Sequence, residues 1–386
     1  MTQPGTRPDD ETDEIETIFR ETCRKFTRDR IEPFVVEWEE AELFPRTLYA
    51  EAAAAGILGA GFPEAYGGAG GGMMLPLIAL EAMLWAGSTG VVAGVSSHGI
   101  ALPPILNLGD EAQKQRWLPP VLQGEKIAAL GVTEPGAGSD VAGVRTKAVR
   151  DGDHYVIDGA KMFITSGCRA DLVTVLCRTG EDPHGGLTFF VVERGMEGFQ
   201  VSRSLKKTGW RASDTAELSF QGVRVPASHR IGDEGSGFIA LMQNFQNERL
   251  ALAFMGHTTA EIALHDAVAY AKERRTFGKP IGKHQVIRHK LAEMATDVLA
   301  SRTLNYTVAR RVAAGEVDAA QVSMAKNFSA RVALSVCAEA VQILGGMGYM
   351  RETRVERLSR DARLLTIGGG TTEIMNELIA RWGLGL

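Results

Sequence analysis

At 386 residues the chain is long enough for two or three domains with sizeable cores, and 45% hydrophobic with 23% charged residues is ordinary globular composition. A net charge of −5 offers no basic footprint for nucleic acid or an anionic membrane, so a phosphate-bearing partner has to be held at a local site. The cysteines Cys23, Cys168, Cys177 and Cys337 form no C-x-x-C pair, which argues against a zinc site and a disulfide framework and fits a reducing cytoplasm.

Residues 1–14 are polar and acidic, with neither the apolar core of a secretory signal nor the basic amphipathic pattern of a transit peptide, and read as a disordered tail. No run of about 18 apolar residues is expected to span a membrane, because Val91 to Leu106 is broken by Ser96, Ser97, His98, Pro103 and Pro104.

Residues 15–126 read as a helical domain. Ile15, Ile18, Phe19, Thr22, Phe26 and Ile31 recur at three- and four-residue spacings until Pro33 interrupts. Tyr49 to Ala55 is a helix stopped by Gly56, and Leu75 to Trp85, Val91 to Leu106 and Glu111 to Leu122 follow. The glycine-rich segment from Gly61 to Gly72 lacks the Lys-Ser/Thr of a P-loop and reads as a mobile surface loop near a ligand.

Residues 127–235 change to the period of strands: Ile127 to Val132, Val144 to Val149, Tyr155 to Ile157, Leu172 to Leu176, Leu187 to Val192 and Ala216 to Phe220, with Asp151-Gly152 as a hairpin signal. Short strands without intervening helices predict an antiparallel β domain and exclude a Rossmann dehydrogenase. The first strand runs into a glycine-rich turn, LGVTEPGAGSD from Leu130 to Asp140, whose bare backbone and hydroxyls can press against a flat or anionic ligand.

Residues 236–386 predict a four-helix bundle: Gly237 to Met255, Thr259 to Glu273, Val286 to Ala314 and Ala319 to Leu344, with a short helix after Thr371. The fold class expected is therefore α+β and multi-domain, in the order helical, β, helical.

One anomaly stands in the first of these helices. Leu241, Phe245 and Leu252 share a face, and Glu248 falls on it. A carboxylate in an apolar stripe is either neutralised by a base such as Arg249 or has a raised pKa in a cavity it serves. Three later stretches supply donors and open backbone: AKERRTFGKP from Ala271, QILGGMGY from Gln342, and IGGGTTEI from Ile367, where Thr371 is a candidate N-cap.

Together LGVTEPGAGSD, KMFITSG at Lys161 and these three stretches closely resemble, in order, the motifs of the acyl-CoA dehydrogenase family, over nearly the whole chain from about Phe19. The resemblance implies FAD as cofactor. Leu130, Val132, Thr133, Gly138 and Ser139, with Phe163, Ile164 and Thr165, match segments that line the flavin, Thr165 near its N5 atom. Phe163 stands where many relatives have tryptophan. Arg274, Arg275, Thr276, Phe277, His284, Gln285, Gln342, Gly345 and Gly346 match segments that hold the FAD diphosphate and adenosine across a subunit interface, so a homotetramer, a dimer of dimers, is implied. Thr371 to Glu373 match another flavin-contacting segment.

One departure bears on mechanism. The family's commonest catalytic glutamate lies directly before the Gly-Thr of the last motif, where this chain has Gly369. A smaller branch, the long-chain and isovaleryl type, carries the base before an arginine on the first helix of the C-terminal domain, the position of Glu248 and Arg249. The resemblance thus implies α,β-dehydrogenation of an acyl-CoA thioester, with Glu248 as proton acceptor and the Gly369 amide in the oxyanion hole. Ser139, Phe245, Arg249 and Gly370 are expected beside the substrate. Electron-transferring flavoprotein is the implied acceptor, and neither nucleic acid, membrane nor metal is expected. A flavin oxidase of the same fold and a non-catalytic binding protein of the same fold are the alternatives. Leu84, Trp85 and Val95 are candidate walls of the acyl pocket.

Overall fold

The computed structural model describes residues 14–386. Of the tail expected over 1–14, residues 1–13 lie outside the described residues, and Glu14 opens the first helix. The first block runs α1 (Glu14–Phe26), α2 (Val35–Ala41), α3 (Thr47–Ala54), α4 (Met74–Leu84), α5 (Thr89–Val95), α6 (His98–Ala101), α7 (Pro103–Leu108) and α8 (Glu111–Leu122). At Pro33 the chain turns through a π-turn, Thr27–Ile31, and a 3-10 turn, Glu32–Phe34.

The face of α1 differs from the expectation. Glu16, Cys23 and Phe26 turn inward, while Ile15 and Ile18 are exposed at 59% and 61%. Glu16 is drawn in by an ion pair with Arg310 of the C-terminal block, and a paired carboxylate outweighs the apolar pattern. The glycine loop after α3 is not a free surface loop. Gly61 N–H donates to Gly70 O at 2.8 Å, Gly70 N–H to Phe62 O at 2.9 Å, and Phe62 is buried.

The middle block is one sheet in the order β6-β7-β3-β2-β4-β5-β8, from β1 (Ala128–Gly131), β2 (Lys147–Asp151), β3 (His154–Thr165), β4 (Leu172–Arg178), β5 (Leu187–Glu193), β6 (Phe199–Ser204), β7 (Thr215–Pro226) and β8 (Arg230–Ile231). It is mixed rather than wholly antiparallel, because β1 pairs with β4 in parallel and β2 touches β4 the same way. The apolar runs of β4 and β5 do not alternate because both faces are covered. Leu172, Leu176, Leu187, Phe189 and Val191 pack with Trp117, Leu118 and Leu241 of the helical blocks. Val173, Val175, Cys177, Phe190 and Val192 pack on the opposite face with Ile157, Leu218 and Val223. The expectation omitted β6, whose polar sequence FQVSRS carries no apolar signal.

The last block contains α9 (Gly237–Glu273), a small hairpin of β9 (Arg275–Thr276) and β10 (Lys279–Pro280), α10 (Gln285–Ala313), α11 (Ala319–Leu344), α12 (Arg354–Ala362) and α13 (Thr372–Leu378). The break expected between Met255 and Thr259 does not occur, and α9 is a single helix of 37 residues. Gly256, Thr258 and Thr259 mark a crossing instead: a Cβ at Gly256 would lie 2.9 Å from Ser329 Cβ and 3.0 Å from its backbone, so only glycine lets α9 and α11 approach this closely. Three long helices with α12 against them therefore make the bundle, and Arg274 and Arg275 fall just beyond the last helical residue of α9. The stretch Ala319–Tyr349 is apolar and long enough to cross a membrane by composition, and in the fold this apolarity is spent on packing against α9 and α10.

Candidate active site

A cavity of about 1280 Å³ lies where the three blocks meet, and the loop after β1, the end of β3, α9 and the turn before α13 all open onto it. The loop after β1 is shaped by a buried ion pair. Lys161 Nζ donates to Glu134 Oε1 at 2.8 Å and to Val132 O at 2.9 Å. The same carboxylate accepts from the backbone of Arg145 at 2.8 Å and Thr146 at 2.9 Å. Burial works to raise the Glu134 pKa, and Lys161 beside it holds the carboxyl below its ordinary range. With its base fixed, the loop presents Leu130, Val132, Thr133, Gly138 and Ser139 to the cavity. The sequence shows both charges but not their pairing, which spans 27 positions.

Opposite this loop, β3 ends in a register shift between Lys161 and Ile164, a bulge that re-aims side chains. Met162 N–H ties it to Thr133 O at 2.7 Å. Phe163 adopts φ +63° and Ser166 φ +60°, conformations that cost a non-glycine residue about 1 kcal/mol or more and that cluster at ligand sites. Phe163, Ile164 and Thr165 all line the cavity. An exposed aromatic, hydroxyls at Thr133, Ser139 and Thr165, and open backbone fit a flat group with polar edges such as a flavin ring.

Glu248 enters from α9 on the same side as Phe245 and Leu252, which also line the cavity, while Leu241 of that face is in the core. Its Oε1 accepts from Asn244 Nδ2 at 3.2 Å, and Asn244 also donates to Ile100 O at 3.2 Å. Burial pushes the Glu248 carboxyl up to about 8, against the opposing pull of Arg249. Arg249 does not neutralise it by an ion pair. Its Nε donates instead to Gly369 O at 3.4 Å and its guanidinium lies 5.5 Å from the Phe245 ring centroid.

Gly368, Gly369 and Gly370 form the cavity wall facing α9. Gly369 and Gly370 have φ +64° and +94°, and a Cβ at Gly369 would come 2.3 Å from Leu252 Cδ1. Their amide N–H groups donate to no partner among the described residues. Thr371 caps α13, its hydroxyl accepting from Ile374 N at 3.3 Å, and lines the cavity, whereas Glu373 points away and is exposed.

The structure does not bring Arg274, Thr276, Phe277, Gln285, Gln342, Gly345 and Gly346 to this cavity. They gather at the far end of the bundle, where an ion pair between Lys290 and Glu339 holds the start of α10 beside the end of α11. Along α9, Glu273 is about 37 Å from Glu248 at 1.5 Å per residue. Phe277 is 95% exposed there. Leu84 and Val95 do not form a pocket wall, being packed in the core, and Trp85 stacks edge-on with His265; Leu77, Leu80, Met83 and Ala93 line the cavity instead.

Sequence reasoning missed the segment from Arg203 to Trp210. It brings Arg203, Lys206, Lys207 and Trp210 to the cavity, and Arg360 and Arg363 face it. Trp210, at φ +54°, donates its backbone N–H to Asp361 Oδ1 at 2.6 Å. Burial, with Glu39 nearby, pushes Asp361 up to about 7. The segment reads RSLKKTGW, with no periodicity to expose it; only the run Lys206-Lys207 carries a signal.

Family models for the N-terminal, middle and C-terminal domains of acyl-CoA dehydrogenase match residues 13–125, 129–223 and 235–384. The chain is 40% identical over 368 residues, 94% of its length and 85% of the relative's, to the mitochondrial long-chain specific acyl-CoA dehydrogenase of Sus scrofa. Its structure superposes on a probable acyl-CoA dehydrogenase from Mycobacterium abscessus with TM-score 0.94 and 52% identity, covering 96% and 99% of the two chains. A glutaryl-CoA dehydrogenase from Mycobacterium smegmatis in complex with FADH2 matches with TM-score 0.91 and 31% identity over 97% and 96% of the chains. Three matched domains in the observed order, around a cavity fitted to a flavin, show that the chain belongs to the acyl-CoA dehydrogenase family, FAD-dependent oxidoreductases.

Proposed function

We propose that this enzyme removes the α-proton of an acyl-CoA thioester with Glu248 while the β-hydrogen leaves as hydride, giving the α,β-unsaturated thioester. The observation that carries this reading is the Glu248 carboxyl, raised to about 8 and opening onto the same cavity as Phe163 to Thr165 and the unpartnered amides of Gly369 and Gly370. A carboxylate whose proton affinity lies near neutral pH is matched to abstracting a weakly acidic proton.

FAD, when bound, supplies the acceptor for the hydride. Leu130 to Ser139 and Phe163 to Thr165 would hold its ring. The chain's own residues do the rest. As the α C–H bond breaks, the proton passes to Glu248 and charge builds on the thioester oxygen, where the amide N–H groups of the glycine turn can receive it. A preorganised donor of this kind contributes about 3 kcal/mol to the transition state. Asn244 fixes the carboxylate by a hydrogen bond one helical turn away, and Phe245 and Leu252 exclude water from it. The apolar end of the cavity at Leu77, Leu80, Met83 and Ala93 receives the acyl chain.

Arg274, Thr276, Phe277, Gln285 and Gln342 to Gly346 sit too far from Glu248 to serve the same cofactor in one chain, which supports the reading that they hold the FAD of a second copy in a homotetramer. Electron-transferring flavoprotein is the acceptor that the family resemblance implies. The test is a panel of acyl-CoAs with an artificial electron acceptor, run on wild type and Glu248→Gln. The variant is expected to keep FAD and lose turnover by at least 10²- to 10⁴-fold, the contribution of a general base; near-wild-type rates would overturn the assignment.

A further inference from the structure

Two cations hold the carbonyls of the glycine turn, Arg249 from among the cavity-lining residues and Lys326 from outside them. Lys326 on α11 is only 1% exposed, and its Nζ donates to Gly370 O at 2.5 Å. Arg249, 5% exposed, donates to Gly369 O. Neither forms an ion pair among the described residues. Asn327, next to Lys326, donates to Thr372 O at 3.0 Å, so α11 fastens both sides of the Thr371 cap. A buried lysine without an ion pair is costly, and burial together with the nearby Arg249, against the weaker pull of Glu373, pushes its ammonium down to about 8.

We propose that Lys326 is a positioning residue for the dehydrogenation: with Arg249 it fixes the Gly369 and Gly370 carbonyls, so that the turn keeps one conformation and its free amides stay aimed at the thioester oxygen. The geometry follows from the planar peptide, in which N–H and C=O point in opposite directions. Pulling the Gly369 carbonyl toward Arg249 turns the Gly370 N–H the other way, and fixing the Gly370 carbonyl at Lys326 removes the freedom of a residue whose φ of +94° only glycine tolerates well. A carbonyl that accepts from a cation also makes the N–H of its own peptide a stronger donor, Gly370 N–H for the Gly369 carbonyl held by Arg249 and Thr371 N–H for the Gly370 carbonyl held by Lys326. Lys326 touches neither substrate nor reacting atoms. It acts through the turn.

This inference rests on the dehydrogenase reading, and one experiment separates the two. An acyl-CoA with sulfur in place of the β carbon has no β-hydrogen to lose but can still ionise: its α C–H breaks, the proton goes to Glu248 and the electron pair is delocalised onto the thioester oxygen. The pH midpoint of this ionisation, followed by absorbance on FAD-loaded enzyme, reports how well the oxygen is stabilised. In Lys326→Met the midpoint should rise by about one pH unit and kcat fall about tenfold, with KM changed less than threefold. An unchanged midpoint in Lys326→Met, with only thermal stability lowered, overturns the proposal. If that variant does not fold, Lys326→Gln decides in the same way, a smaller rise supporting the proposal and no rise overturning it. A wild-type enzyme that neither ionises the analogue nor oxidises acyl-CoAs refutes the dehydrogenase reading itself.

Discussion

The stability of Glu248→Gln relative to wild type should grow as the pH rises, at the same time as the substitution removes activity. In the unfolded chain this carboxyl releases its proton near 4.5, and in the folded protein burial holds the proton to about 8. Between these values Glu248 holds a proton in the folded state that it has released in the unfolded state, so its own contribution to wild-type stability declines with rising pH. At about 1.4 kcal/mol per pH unit, the interval from 4.5 to about 8 corresponds to about 5 kcal/mol, an upper bound because cavity water relaxes part of it. The glutamine amide has nearly the same shape and does not titrate. The stability difference between variant and wild type should therefore be smallest below pH 4.5, grow through the neutral range and level off above pH 8. Thermal unfolding of both FAD-loaded proteins from pH 4 to 9 measures it, and titrations elsewhere in the fold cancel in the difference. A difference that does not change with pH would show that Glu248 is solvated like a surface carboxylate, and the argument for a tuned base would fail with it.

Two further outcomes test the surroundings of the site. Gly369→Ala combines a φ of +64° with a Cβ placed 2.3 Å from Leu252 Cδ1, and should cost roughly 1–3 kcal/mol in denaturant unfolding; adding Leu252→Ala should recover the steric part but not the backbone part. Gly256→Leu forces apart the crossing of α9 and α11 at Ser329 and should destabilise by roughly 1–3 kcal/mol or more, read as a lower unfolding midpoint.

The order of helical, strand and helical blocks was legible because it rests on period, and the Glu248 face was legible because α9 keeps helical spacing through Leu241, Phe245, Glu248 and Leu252. Where tertiary contact overrides local preference, the reading failed. Gly256 with two threonines looks like a helix end, and only the presence of Ser329 opposite makes it a close crossing. Ile15 and Ile18 look like a core face, and the partner of Glu16 that turns them outward is almost 300 positions away. The parallel pairing of β1 with β4 leaves no trace in either strand, because register is set between segments. Arg249 was legible beside Glu248, but its contact with the glycine turn and the whole role of Lys326 were not, for the same reason: Lys326 sits in an ordinary helical stretch, 44 positions before the carbonyl it holds.

The packing of Leu252 against Gly369 also bears on where the base can stand. A side chain at 369 would start 2.3 Å from Leu252 Cδ1, one turn along α9 from Glu248, so a glutamate there would have to turn that leucine methyl aside and would crowd the helix that carries the base. Two acids facing one another across this site would compete for room as well as for the proton.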